Sequence, residues 1–163
     1  MNKQGVMIDI SHVSDAAFMK VLELSKAPVV ATHSSLRHFT PGWERNVSDE
    51  MLIALAENGG VIQLCFGSDF VANRKDNPDI EVSVKNVVDH IDRVRDLVGI
   101  DHVGFGSDFD GEVPLPEDIN DVSKFPNLIE ELLIRGYTES EIDKILNENI
   151  LRVWKEVRAL ADV

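Results

Sequence analysis

Two histidines and an aspartate stand where apolar runs of this chain come to an end. His12 closes Gly5-Val6-Met7-Ile8-Asp9-Ile10-Ser11-His12, and His33 lies near the end of Pro28-Val29-Val30-Ala31-Thr32-His33-Ser34-Ser35. Asp108 lies in a third exit, Gly104-Phe105-Gly106-Ser107-Asp108-Phe109-Asp110-Gly111. Neutral imidazole is a good zinc ligand, and a carboxylate near a metal-activated water can carry protons between nucleophile and leaving group. Two histidines and a third exit placed in this way are what the C-terminal rim of a parallel barrel carrying a metal would show. For that chemistry they must converge, and the elements that carry them must make them do so.

Val/Ile runs that are apolar throughout, rather than alternating, read as parallel strands buried on both faces, with chemistry placed where each strand leaves the sheet. The predicted strands are residues 5–11, 28–33, 61–66 and 102–106. Helix signals lie between them. Ser14-Asp15 is an N-cap for a helix with Phe18, Val21 and Leu22 inward, running to Lys26. Ser48-Asp49-Glu50 opens a helix that stops at Gly59-Gly60. Val84, Val87, Val88, Ile91, Val94, Leu97 and Val98 share one face of a third helix ending at Gly99. A Pro-containing loop over 112–120 leads to a helix closing at Gly136. Thr138-Glu139-Ser140-Glu141 is a capping box for the last helical pair. The order is βαβαβαβα(α), with no linker, so residues 1–163 are expected to form a single domain.

The 163 residues, 44% hydrophobic, can bury a real core but fall short of the about 250 that a complete (β/α)8 barrel uses. Four parallel units allow an open doubly wound sheet or half of a barrel. The open sheet would carry a Gly-rich phosphate turn after its first strand, and Ser11-His12-Val13-Ser14 is not one. The α/β fold expected is therefore a half-barrel, whose raw edges need a partner. A net charge of −13 argues against nucleic acid or an anionic membrane as that partner. The lone Cys65 excludes a disulfide framework and reads as a buried, inert thiol. No apolar stretch reaches the roughly 20 residues of a membrane span, and Met1-Asn2-Lys3-Gln4 opens no signal peptide, so a cytoplasmic location is expected.

The motifs above, with Arg45-Asn46-Val47-Ser48-Asp49, Phe125-Pro126-Asn127-Leu128 and Asn149-Ile150-Leu151-Arg152-Val153, occur in an order that resembles the C-terminal half of the membrane (renal) dipeptidase family. These are zinc peptidases of the amidohydrolase-like barrel type. The resemblance implies a TIM-type (β/α)8 barrel of which this chain holds strands five to eight and their helices. It implies that His12 and His33, 21 positions apart, are ligands in a site holding two Zn2+ ions. Arg45 would grip the terminal carboxylate of a dipeptide, and Asp108 would be the catalytic carboxylate. Asp69 and Phe70 fall near the substrate-contacting position after strand seven. His38, His90 and His102 are expected to be ordinary surface or hydrogen-bonded histidines.

A complete member also carries a His-x-Asp pair, a bridging Glu and a substrate-binding His on earlier strands, and none is found here. The expectation is a dipeptidase fragment inactive alone, completed by an N-terminal half or hiding its edges in a homodimer. Two alternatives stand beside it: another metal-dependent amidohydrolase, and a non-catalytic half-barrel that only assembles.

Overall fold

The apolar runs assemble side by side. In the computed structural model, which describes residues 1–161, three of them form a parallel sheet in chain order: β1 (Val30–Ser34), β2 (Val61–Leu64) and β3 (Val103–Phe105). The strand expected over 5–11 does not form as such. It is reduced to one parallel bridge, Asp9 to Val30, with Ile10 N–H donating to Val30 O (2.8 Å) and Val30 N–H to Ile8 O (3.0 Å). This segment has a neighbour on one side only, and Val6 is exposed, so little holds a longer ladder in place. The strands expected to reach 66 and 106 close at 64 and 105. Beyond them the exits still bond irregularly, Gly106 N–H to Leu64 O and Phe66 N–H to Ser107 O.

The sheet is bent toward one side. A methyl group on Gly106 would lie 2.0 Å from the carbonyl oxygen of Thr32 and 2.9 Å from that of Gln63. Thr32 belongs to β1, two strands from β3, and in a flat sheet those backbones would be about 9–10 Å apart. Only glycine fits where the exit of β3 folds in against β1.

Helices cover the sheet in the order the chain makes them. α1 (Asp15–Leu24) packs on α2 (Asp49–Glu57), α2 on α4 (Val84–Val98), and α4 on α5 (Phe125–Ile134); a single-turn α3 (Ser68–Val71) follows β2. The caps anticipated at Ser14 and Ser48 are made, their hydroxyls accepting from Ala17 N–H and Met51 N–H. Val29, Ala31, Ile62, Leu64 and Val103 of the sheet meet Phe18, Leu52, Ile91, Val94 and Leu132 of the helices, all buried. Each such side chain contributes roughly 1.5–3 kcal/mol on removal from water. The capping box at Thr138 and Glu141 starts α6 (Glu139–Asp143), which a π-helical turn joins to α7 (Asn149–Ala159). α7 lies beneath the strand starts, where Val153 and Val157 meet Ala27 and Val61, and Arg152 donates to the carbonyls of Gly59 and Asp101. Among the described residues no helix is long and apolar enough to cross a membrane.

Candidate active site

His12 and Asp108 each adopt φ of +65°, the left-handed region that side-chain-bearing residues seldom occupy. Local hydrogen bonding accounts for the first. Asp9 Oδ1 accepts from Ser11 N–H (2.9 Å), turning the chain just before His12 and aiming the imidazole back across β1. Beside the second, a glycine is needed. A Cβ on Gly111 would come within 2.4 Å of Asp108 Oδ1, so glycine there leaves room for the carboxylate, while Gly111 N–H donates to Asp108 O.

His33 is aimed by a β-bulge. Ala31 pairs with Ile62 and Ser34 with Leu64, so β1 advances three residues where β2 advances two. The extra residue breaks the alternation that would send Thr32 and His33 to opposite faces. Their side chains instead touch, with Thr32 Oγ1 2.7 Å from His33 Nδ1.

As a result, His12 Nε2 and His33 Nε2 lie 2.8 Å apart. Arg45 approaches both: its Nη2 is 3.1 Å from His12 Nε2 and donates to His33 O at 2.5 Å, while Nη1 donates to Ser34 Oγ at 3.0 Å. The loop carrying Arg45 is braced on each side. Arg37 forms a bidentate pair with Asp15 and donates to the carbonyls of Glu44 and Asn46. Buried Asn46 donates to Thr40 Oγ1 and Phe70 O. The Arg45 guanidinium also sits 5.5 Å from the Phe70 ring centre. Phe70 thus reaches the site through Arg45, whereas Asp69 pairs with Arg74.

The charges fit this grouping. Burial lowers the His12 pKa, with Arg45 and His33 acting in the same direction against smaller opposing effects of Asp108 and Asp9, which favours the neutral imidazole, the form that binds metal. Burial also lowers the Arg45 pKa, opposed by Cys65, Asp108 and Asp9, and an arginine so shifted still stays protonated. Asp108 is therefore in electrostatic range of both His12 and Arg45. Cys65 Sγ is 3.6 Å from Asp108 Oδ2, and burial pushes its thiol up to about 12.

The other histidines are engaged elsewhere. His90 is fully buried between Leu36 N–H and Val71 O, His102 Nδ1 meets Gly60 O, and His38 stands against Phe39. Sequence reasoning did not single out Asp9, Thr32 or Ser34, all of which touch the candidate ligands or Arg45. Asp9 was legible as an acid within an apolar strand run, but the role of Thr32 depends on a bulge that no residue pattern marks. His12 and His33 are the side chains here that could hold a metal. Among the described residues no group of three or more His, Cys, Asp or Glu is arranged to do so.

The parallel sheet and its covering helices make this an α/β protein. The chain belongs to the membrane dipeptidase family, peptidase family M19, whose model matches residues 1–163. It is 45% identical over 157 residues to the dipeptidase ataJ of Aspergillus terreus, covering 96% of this chain and 37% of that protein. It superposes with TM-score 0.87 and 35% identity on a metallo peptidase of Rhodobacter sphaeroides liganded with a phosphinate mimic of the dipeptide L-Ala-D-Ala, covering 96% of this chain and 44% of that one. The probable dipeptidase PvdM of Pseudomonas aeruginosa gives TM-score 0.90 at 29% identity, covering 98% of this chain and 52% of that one. The chain thus spans between about a third and a half of the length of these relatives.

Proposed function

We propose that this chain forms one wall of a zinc-dependent dipeptidase site, as strands five to eight of a (β/α)8 barrel. The observation that carries the reading is the meeting of His12 Nε2, His33 Nε2 and the Arg45 guanidinium at the strand exits. The bend of the sheet, its chain-order strands and its single outer layer of helices support the barrel arc. The dipeptide mimic in the Rhodobacter sphaeroides relative supports the substrate class.

The two imidazoles suit a metal. Arg45 can only donate to His12, so His12 Nε2 carries no proton and offers a lone pair, which the guanidinium now uses. His12 and His33 would hold the metal through their Nε2 atoms, which the structure brings to 2.8 Å of each other. Two imidazoles do not complete a two-metal centre, so the remaining ligands, a bridging carboxylate among them, come from a complementary protein segment.

Bound zinc would supply a water of lowered pKa and polarise the scissile carbonyl. Asp108 would serve as the general acid/base, carrying a proton from the attacking water to the leaving amine, a role that typically contributes 10²–10⁴-fold. Arg45 pairs with the substrate's terminal carboxylate through its planar fork, selecting short peptides with a free C-terminus. The His12 lone pair cannot serve Arg45 and a metal at once. With His12 engaged as a ligand, one N–H of Arg45 would be left for the substrate.

The test joins the chain to the complementary segment of the Aspergillus terreus relative, adds zinc, and measures dipeptide hydrolysis. Turnover should need both pieces, fall at least 100-fold in Asp108→Asn, and vanish in His12→Ala and His33→Ala. Full turnover by this chain alone, or activity surviving His12→Ala, refutes the reading.

A further inference from the structure

We infer that Asp9 and Thr32 act as positioning residues that set the proton on His33, so that its Nε2 faces the site with a free lone pair. The inference rests on the ligand reading of His33 and adds the device that makes the residue competent for it.

On the Nδ1 side of His33 the hydrogen bonds allow one assignment. Asp9 Oδ1 accepts from two backbone donors, Ser11 N–H at 2.9 Å and Thr32 N–H at 3.1 Å. Asp9 Oδ2 lies 2.6 Å from Thr32 Oγ1, and a carboxylate only accepts, so the hydroxyl proton of Thr32 points at Asp9. The hydroxyl oxygen is left with lone pairs alone to offer His33 Nδ1, 2.7 Å away. His33 Nδ1 must then carry the proton. In the neutral ring Nε2 carries none, so the Nε2 atoms of His33 and His12 meet at 2.8 Å with no proton between them, a contact that a bound cation would relieve.

The ring is fixed in place as well as in protonation. His33 N–H donates to Ser11 Oγ at 3.1 Å, and Ser11 Oγ lies 3.2 Å from Ser34 Oγ, which accepts from Arg45. One turn of chain, residues 9–11, thus sets the tautomer of one imidazole, bends the backbone that presents the other, and supports the serine that anchors Arg45. Outer hydrogen bonds of this kind are worth 10–100-fold in metal affinity.

The carboxylate can be inverted without changing its shape. In Asp9→Asn the amide oxygen must face the two backbone N–H donors, because the amide nitrogen would oppose them. The NH2 group then donates to Thr32 Oγ1, and the hydroxyl proton turns toward His33 Nδ1. His33 is forced to carry its proton on Nε2. Thr32→Val removes the acceptor and frees the ring, while Thr32→Ser keeps the hydroxyl.

The experiment is 15N NMR of the histidine rings in the full 163-residue chain, followed by titration with zinc alone. The expected result is a protonated, pyrrole-type Nδ1 on His33 in the unchanged chain and in Thr32→Ser. In Asp9→Asn the proton moves to Nε2 and zinc affinity falls 10–100-fold, with Thr32→Val in the same direction. Backbone spectra of each variant establish that it is folded. An unprotonated Nδ1 in the unchanged chain, or an Asp9→Asn ring identical to it, overturns the inference. If the tautomer responds as stated but the unchanged chain binds no zinc, the relay stands and the metal reading of this chain alone is what fails.

Discussion

His90 joins the two exit loops that frame the candidate site, and acid should loosen that joint. Its Nδ1 accepts from Leu36 N–H and its Nε2–H donates to Val71 O, both at 3.1 Å, while its ring packs 4.3 Å from Phe39. Leu36 begins the loop that leads to Arg45, and Val71 closes α3. Burial pushes the His90 pKa from 6.5 to about 4. Between those values the unfolded chain binds a proton that the folded one refuses, so stability falls as pH drops through 6.5 and levels off near 4. For these pKa values the loss is about 2 kcal/mol between pH 7 and 5 and about 3 kcal/mol by pH 4. His90→Phe keeps the ring but leaves a buried N–H and C=O unpaired, at about 1–3 kcal/mol each. Urea unfolding of both proteins at pH 7 and pH 5 is the assay. His90→Phe should be the weaker at pH 7, with the gap narrowing by about 2 kcal/mol at pH 5. An unchanged gap, or a His90 NMR titration midpoint above pH 6, would refute the reasoning.

Gly106→Ala should destabilise the fold by at least about 2 kcal/mol, since its methyl meets the Thr32 carbonyl at 2.0 Å and backbone on two sides must move; thermal unfolding would show it. Cys65 should resist iodoacetamide at pH 8 in the native chain and react at once in urea, because burial holds the thiol near 12. Fast labelling of folded protein would contradict the packing around Asp108. Arg135 bonds to Asp89, Asp92 and Glu131 and so ties α4 to the end of α5. Arg135→Met should cost about 1–3 kcal/mol by leaving those acids without their shared cation, measured by urea midpoint at low and high salt.

Much of this molecule is legible in its residues because buried parallel strands and capped helices leave strong local marks. The Val/Ile runs, the serines at 14 and 48 and the Thr138 capping box each specify an element through contacts within a few positions. What was not legible depends on neighbours in space. The first run stops at one bridge because it lies at the sheet's edge, and pairing there depends on what stands beyond it rather than on its own composition. The single turn at Ser68–Val71 is too short to show a periodic face. At the site, the spacing of His12 and His33 says nothing of the 2.8 Å between them. The bulge that turns Thr32 and His33 to the same side arises from register against β2, and Thr32 is an ordinary strand residue until that register is known.

Among the described residues, three other than glycine have positive φ, and two of them are His12 and Asp108. A left-handed backbone costs a residue with a side chain roughly 1–2 kcal/mol, and glycine at either place would be spared it. The scaffold thus carries backbone strain at two residues of the candidate site, strain that glycine would relieve. Variants selected for heat tolerance alone should lose these two side chains before they lose the core.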